Sequence, residues 1–232
     1  MAEPPRQLAL DLPVESPMEA EDFLVSASNE AAYSALEAWP DWPDPILLLT
    51  GPPSSGKSHC AAIWAARAHA WTLQRAALRE ADVPRLVSAG ALVLEDCERA
   101  QGHEAALFHL LNLARERRTF VLLTAVHGPE QWGLVTADLL SRLRLAPRVA
   151  IAEADEGLVR AVLVKLFVER QLVVDTSVVE YLALRLDRSI AAAKDMVERL
   201  DRLALERGRR ITRALAAEIL RDDEGEEGLP PT

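Results

Sequence analysis

The feature that most constrains the fold is the apolar run ILLLT at residues 46–50, followed directly by GPPSSGKS at 51–58. An unbroken apolar run of this length is typical of a strand that is buried on both faces of a sheet. The segment after it fits the pattern G-x-x-x-x-G-K-S, in which glycines let the backbone curl and point N–H groups at phosphate oxygens. Strand and loop together predict a nucleotide-phosphate site formed by Gly51, Pro52, Pro53, Ser54, Ser55, Gly56, Lys57, Ser58 and His59.

Two side chains of this loop and two acids elsewhere have expected roles at the phosphates. Lys57 is expected to reach the β- and γ-phosphates of ADP or ATP, and the Ser58 hydroxyl to hold Mg²⁺. A second buried strand pattern, ALVLED at 91–96, ends in two acids. We assign Glu95 as the other magnesium ligand and Asp96 as the acid that would activate water. The alternatives are a loop that no longer binds nucleotide and a pair of acids that is merely exposed at a strand end.

Strand and helix patterns alternate along the first two thirds of the chain. Buried strands are predicted at 46–50, 91–95, 119–125 and 148–152, and a helix at 103–117. This alternation indicates a parallel sheet in an α/β fold. After residue 152 the pattern becomes helical only, with amphipathic segments at 155–171, 175–187, 189–207 and 212–222. We therefore expect a flexible tail (1–20), an α/β nucleotide-binding domain (21–153), a small all-helical lid domain (154–222) and a disordered acidic end (223–232).

Charge is unevenly distributed over the 232 residues, whose net charge is −10. Residues 1–45 hold ten acids and one base, whereas residues 185–213 hold nine bases and five acids. The overall balance excludes a protein that coats DNA. The basic region fits either a solvated helix face or a contact for an acidic partner or for DNA, so a weak DNA contact stays open.

Cellular location is indicated by what the sequence lacks. It contains no apolar run of about 18 residues, which argues against a membrane span, and its acidic, proline-broken start differs from a signal peptide. Cys60 and Cys97 have no metal-binding spacing, and core filling is the expected role of both. We expect a cytoplasmic protein with reduced thiols.

Two further segments carry a family resemblance. SNEAAY at 28–33 and DLLSRL at 138–143, combined with the phosphate loop and the helical C-terminal part, resemble the DnaA-related AAA+ ATPases. The resemblance implies that Asn29 lies beside the adenine ring. It also implies that Arg142 is an arginine finger, a residue that acts on the nucleotide of a neighbouring subunit. Arg144 is the nearest rival for that role, and a surface ion pair is the alternative for Arg142.

The run QLALDL at 7–12 lies in the acidic tail and sharpens the resemblance. The chain also shows no separate DNA-binding domain after its helical part. In both respects it is similar to the Hda-like regulatory inactivators of DnaA. The resemblance implies that the run binds the DNA sliding clamp, that DnaA is the second partner, and that a homodimer is an option. The clamp-binding residues would be Gln7, Leu8, Leu10 and Leu12, unless the run folds back onto its own domain as a strand.

Three departures from the AAA+ pattern bear on hydrolysis. The acids stand in the order Glu95–Asp96, where the family usually has Asp followed by the water-activating acid. Ala125 and Val126 occupy the place of a polar γ-phosphate sensor, for which only Thr124 or His127 would substitute. In the helical part, Ala191 stands where an arginine is expected, with Arg188 or Lys194 as replacements.

The departures imply nucleotide binding with weak or absent hydrolysis by the chain itself. The leading interpretation is an adaptor that binds the clamp and promotes ATP hydrolysis by DnaA, and so regulates replication initiation negatively. The alternatives are an AAA+ ATPase that acts as helicase loader or initiator and, less well supported, a small-molecule kinase.

Overall fold

A computed structural model of the chain describes residues 22–99 and 104–227. The predicted clamp-binding residues lie outside the described residues, and their role stays a prediction. Within this part of the chain, no helix is long and apolar enough to cross a membrane.

The centre of the fold is a five-stranded parallel sheet. Its strands are β1 (Ile46–Thr50), β2 (Trp71–Gln74), β3 (Ala91–Glu95), β4 (Phe120–Ala125) and β5 (Arg148–Ala150), in the order β2-β3-β4-β1-β5. Strand β1 lies between β4 and β5, with Leu48 opposite Leu123 and Arg148. The predicted α/β fold with a parallel sheet is confirmed.

Helices cover both faces of the sheet, which explains the unbroken apolar run of β1. On one face, α3 (Val83–Val87), α4 (Glu104–Arg117) and α5 (Ala137–Arg144) pack on a cluster that includes Ile46 and Leu48. On the other, α1 (Glu30–Glu37) and α2 (Lys57–Ala68) pack on a cluster that includes Leu47 and Leu49. Successive residues of a strand point to opposite faces, so both faces must be apolar.

Strand β2 is the one strand that the sequence did not predict. Its four residues, WTLQ, alternate apolar and polar types, but the run is short and forms one edge of the sheet. Three of the four are exposed, so burial imposed no apolar run that could have revealed the strand.

Four helices follow the sheet: α6 (Glu156–Glu169), α7 (Thr176–Ala183), α8 (Ile190–Arg207) and α9 (Arg213–Glu227). They share a hydrophobic cluster of their own, centred on residues such as Leu163 and Leu200. Side chains of Asp155, Asp175 and Ser189 accept hydrogen bonds from the first turns of α6, α7 and α8. Helix α8 ends at Gly208 in the left-handed conformation.

The predicted acidic end needs one correction. The backbone of α9 continues to Glu227, whereas the sequence predicted disorder from residue 223. Residues 223–227, which are four acids and Gly225, extend the backbone of the last helix by little more than one turn.

The two cysteines are buried in the core, and their thiols should be unreactive in the folded protein. Burial raises the pKa of Cys60 to about 12 and raises the pKa of Cys97 further above its ordinary value. For Cys60 this lowers the thiolate fraction at pH 8 by about a thousandfold. A thiol-reactive dye at pH 8 should therefore label neither cysteine before denaturant is added, and both afterwards. Fast labelling of either thiol in the folded chain would contradict this placement.

Candidate nucleotide-binding site

The loop between β1 and α2 has the backbone that the glycine pattern predicts. Gly56, directly before α2, has a φ of 99°, and Ser54 a φ of 57°. A Cβ on Gly51 would lie 2.7 Å from the carbonyl oxygen of Ile151, so a larger residue does not fit there. The loop therefore curls tightly and brings the N-terminus of a twelve-residue helix to its open side.

Lys57 turns its amine back over this loop. Its Nζ donates hydrogen bonds to the carbonyl oxygens of Gly51 at 2.8 Å and of Pro52 at 2.7 Å. Burial lowers the pKa of Lys57, and the negative charges of Glu98, Asp96 and Glu95 oppose that shift in decreasing order. The amine therefore lies where phosphate oxygens would replace two carbonyl oxygens as acceptors.

A cavity of about 330 Å³ opens beside Lys57, between the loop and the helices α6 and α8. Its polar end contains Lys57 and Ser58. On α6, Leu158, Val162 and Leu166 supply an apolar stretch of wall beside Lys165 and Glu169. A polar end and an apolar wall suit a nucleotide, because its phosphates bind cations and N–H groups while its base is flat and largely apolar. Of the residues predicted to bind nucleotide, the cavity is lined by Asn29, Ser54, Gly56, Lys57, Ser58 and His59.

The remaining loop residues face a second cavity. Pro52, Pro53 and Ser55 line a space of about 430 Å³ together with residues 186–189, which precede α8. Gly51 lines neither cavity, and its part is to let the chain turn. The predicted site is thus divided between the two sides of the loop.

The segment before α1 forms the third wall of the first cavity. The Phe23 ring stacks on Tyr33, with centroids 5.5 Å apart, and meets the edge of His59 at 5.3 Å. Asn29 is buried and holds this segment, because its side chain donates to the Leu24 carbonyl at 2.9 Å and accepts from the Ser26 amide at 2.8 Å. In the structure Asn29 therefore shapes the cavity wall. Its contact with the adenine ring stays a prediction.

All three lysines of the chain line this cavity: Lys57, Lys165 and Lys194. Lys165 forms ion pairs with Asp22 and, at 3.5 Å, with Glu169, so it ties the N-terminal segment to α6. The sequence did not reveal Lys165 or Phe23, because their contacts join segments that are distant along the chain.

The acids at the end of β3 and just after it have different local contacts. The Glu95 carboxylate accepts a hydrogen bond of 2.8 Å from the Gln74 side chain on β2, and Asp96 has a left-handed backbone, with a φ of 55°. Glu98, which the sequence did not single out, accepts a 3.3 Å hydrogen bond from the Val126 amide and acts most strongly on Lys57 among the three acids. Glu98 could have been found from the sequence, because it follows Asp96 by only two residues.

The phosphate loop and the acids near β3 could supply some of the ligands of a nucleotide-bound Mg²⁺. Among residues 22–99 and 104–227, no three His, Cys, Asp or Glu side chains converge on a point that could hold a metal alone. Mg²⁺ in nucleotide sites takes several of its ligands from phosphates and water, and needs one or two from the protein. Ser58 and one acid from the group after β3 would supply those.

Four residues were predicted as possible substitutes for the phosphate-contacting side chains that the family pattern has and this chain lacks. Thr124 is buried in β4, and the His127 side chain is exposed. Lys194 lies one turn after Ala191 on α8, and both line the nucleotide cavity, whereas Arg188 lines the second cavity. Of the two replacements predicted for the absent arginine, Lys194 is the one on the nucleotide side.

Arg142 lies on the exposed side of α5, and its surroundings differ from those of Arg144. Arg144 is held by Glu130 at 3.4 Å. The Arg142 side chain is exposed and, among the described side chains, has no hydrogen-bond or ion-pair partner.

Helix α5 is held at both ends. Glu104 accepts hydrogen bonds of 2.8 Å from the amides of Val135 and Thr136 before its first turn. Arg115 donates to the Arg142 carbonyl at 3.1 Å and is itself paired with Asp44 at 3.0 Å. The helix therefore presents the Arg142 guanidinium from a fixed base.

Comparison with known proteins identifies the fold. The sequence matches no protein family, and no curated protein is similar enough to it to count as a relative. Domain III of the Thermotoga maritima replication initiation protein DnaA has the same fold, with a TM-score of 0.74 at 16% identity over 91% of this chain and 98% of that one.

Two further structures extend the comparison. AMPPCP-bound DnaA from Aquifex aeolicus gives a TM-score of 0.70 at 19% identity over 89% of this chain and 69% of that one. The Thermotoga maritima RuvB Holliday junction branch migration motor gives a TM-score of 0.69 at 18% identity over 88% of this chain and 72% of that one. The chain spans 64% of the length of another similar structure, a DNA replication initiation factor. The predicted α/β fold with a parallel sheet is shared with these proteins, and at these identities the likeness concerns the fold.

Proposed function

We propose that this chain is a DnaA-related AAA+ regulator that binds ADP or ATP with Mg²⁺ and supplies Arg142 to the nucleotide site of a DnaA initiator. In this proposal the tail residues Gln7, Leu8, Leu10 and Leu12 bind the DNA sliding clamp in the cytoplasm. Hydrolysis by DnaA then ends its ability to start another round of replication.

The observation that carries the proposal is the state of Arg142. It is exposed and without a described hydrogen-bond or ion-pair partner on a helix that is fixed at both ends. Two exposed apolar residues flank that helix, Val135 before it at 92% exposure and Leu145 after it at 62%. An arginine among exposed apolar residues is typical of a protein–protein contact. Within such a contact, an arginine that reaches a phosphoryl group stabilises the charge of the transition state.

The chain's own nucleotide has a structural role in the proposal. Lys57 and Ser58 would bind the phosphates and the metal, the α6 wall would cover the base, and Lys194 would bring α8 to the phosphates. The acids do not favour fast turnover, because the order Glu95–Asp96 shifts both carboxylates relative to the family pattern, and a misplacement of about 1 Å costs roughly a hundredfold in rate. Bound nucleotide would instead join the sheet to the helices and stabilise the chain by a few kcal/mol.

The predicted binding of residues 7–12 to the clamp is tested with immobilised sliding clamp. Wild-type chain should be recovered on the clamp, and the double variant Gln7→Ala with Leu10→Ala should be lost, because the variant removes the polar and apolar anchors. We expect micromolar affinity from two or three buried leucines. A matched control is Glu3→Ala with Val14→Ala, which changes the same number of tail residues outside the run. Equal recovery of both variants and wild type would remove the clamp from the proposal.

One observation favours a second function, an ATPase that acts as helicase loader or initiator. Glu98 follows β3 and accepts a hydrogen bond from the Val126 amide just after the neighbouring strand β4, so it lies at the carboxyl edge of the sheet and is a candidate for the water-activating acid. ATP turnover by the purified chain separates the two functions. A rate that DNA stimulates and that Glu98→Gln abolishes would favour the ATPase; a negligible rate under all conditions favours the regulator.

A further inference from the structure

We infer that the α7–α9 end of the helical part binds the phosphate backbone of duplex DNA through a group of four arginines, here called the arginine cluster: Arg185, Arg209, Arg210 and Arg213. This inference does not depend on the proposed clamp or DnaA contacts.

Two arginines of the cluster contact the same aromatic ring. The guanidinium carbon of Arg185 lies 4.1 Å from the centroid of the Tyr181 ring, and that of Arg213 lies 4.7 Å from it. Arg185 lies two residues after α7 and Arg213 begins α9, so the ends of two helices bring cations to the same ring. Contact with the ring offsets part of the repulsion between these two charges.

No described carboxylate forms an ion pair with the arginine cluster. All four side chains are exposed, and none has a described carboxylate within salt-bridge distance. Two acids of the same helices are engaged elsewhere, because Glu218 on α9 is paired with Arg207 at 2.9 Å and Glu180 on α7 with Arg160 at 2.9 Å. An anion from outside the chain would meet several guanidinium groups that no described carboxylate holds.

Helix stability does not explain Arg213. It opens α9 and therefore stands at the positive end of that helix dipole, where a cation is unfavourable by a few tenths of a kcal/mol at an exposed site. Arg209 and Arg210 directly follow Gly208, the cap of α8, where cations are favourable, and they lie four and three residues before Arg213. An external anion bound at Arg213 would offset the cost of its position.

The geometry favours duplex DNA over single strands. Proteins that hold single strands stack bases on open aromatic rings. Residues 154–222 contain two aromatic side chains, of which Phe167 is buried and Tyr181 already contacts two arginines. The cluster therefore offers guanidinium groups to phosphates without a stacking surface, which suits binding to the backbone of a double helix.

The test is the binding of a fluorescein-labelled 30-base-pair duplex to the full chain, followed by anisotropy at several salt concentrations. With about four phosphate contacts, we expect a dissociation constant of roughly 10⁻⁶–10⁻⁴ M that weakens about 100-fold between 50 and 200 mM salt. The variant Arg209→Gln with Arg213→Gln should bind about tenfold or more weakly at 50 mM salt, and the slope of log affinity against log salt should decrease by about 2.

Three controls test whether the arginine cluster and the duplex are specifically required. Arg117→Gln with Arg118→Gln removes the same charge from the exposed end of α4 and should leave the binding and the slope unchanged. A single strand with the same number of phosphates should bind more weakly than the duplex, and polyglutamate of the same charge should compete poorly. The inference is overturned if wild type does not bind at 50 mM salt, if both double variants bind alike, or if single strands or polyglutamate bind as well as the duplex.

Discussion

Replacing Arg142 with alanine should abolish the stimulation of DnaA ATP hydrolysis while leaving clamp recovery and nucleotide binding by the chain unchanged. An arginine finger contributes about 10³–10⁵-fold to the rate of phosphoryl transfer, so stimulated hydrolysis should fall to the unstimulated level. The side chain is exposed and makes no internal contact among the described residues, so its removal should cost the fold little. The measurement is phosphate release by ATP-bound DnaA with the chain and DNA-loaded clamp.

Arg144→Ala is the matched control, because it removes the same side chain two residues further along α5. Arg144 is held by Glu130 at the surface, and its variant should keep stimulation within a few-fold of wild type. Arg142→Lys should restore little, since a lysine lacks the planar fork that binds two phosphate oxygens at once. If Arg142→Ala stimulates as well as wild type, or if Arg144→Ala is the variant that fails, Arg142 is not the finger.

Replacing Lys57 with alanine should weaken ADP and ATP binding by about 10- to 100-fold, because charge-assisted hydrogen bonds of about 1.5–3 kcal/mol are lost. Its amine already lies over the loop, 2.7 and 2.8 Å from two carbonyl oxygens, so little rearrangement is needed to meet phosphates. Fluorescent nucleotide titrated at fixed Mg²⁺ measures the change. The variant should also lose the rise in melting temperature that nucleotide gives to wild type.

Lys194→Ala is the control within the same cavity. Its side chain lines the rim on α8, and we expect a smaller loss that is larger for ATP than for ADP, since only ATP extends to the γ-phosphate. Equal affinity of wild type and Lys57→Ala would mean that the loop does not bind nucleotide, whatever its sequence.

The sequence predicted those parts of the fold and the site that depend on neighbouring residues. The β1 strand was visible because both of its faces are buried, and the phosphate loop because its glycines and Lys57 are consecutive. Phosphate chemistry and strand burial each leave a local pattern of this kind. The resemblance of DLLSRL also marked α5, whose Arg142 proved to be exposed.

What the sequence missed depends on segments that meet only in the folded chain. The pair of Lys165 with Asp22 joins α6 to the N-terminal segment across 143 residues. Glu95 was assigned to Mg²⁺ because it ends β3, but the edge strand β2, which was not predicted, places Gln74 beside it. An exposed edge strand has no apolar run to reveal it, so the partner of Glu95 could not be foreseen.

The most direct test of the central claim is a structure of this chain assembled with sliding clamp, DNA and DnaA carrying a non-hydrolysable ATP analogue. The quantity to measure is the distance from the Arg142 guanidinium to the γ-phosphate oxygens of the nucleotide on DnaA. A distance of about 2.7–2.9 Å, that of a charge-assisted hydrogen bond, is the predicted result. An Arg142 side chain that points into solvent in the complete assembly, with another group at that γ-phosphate, would contradict it.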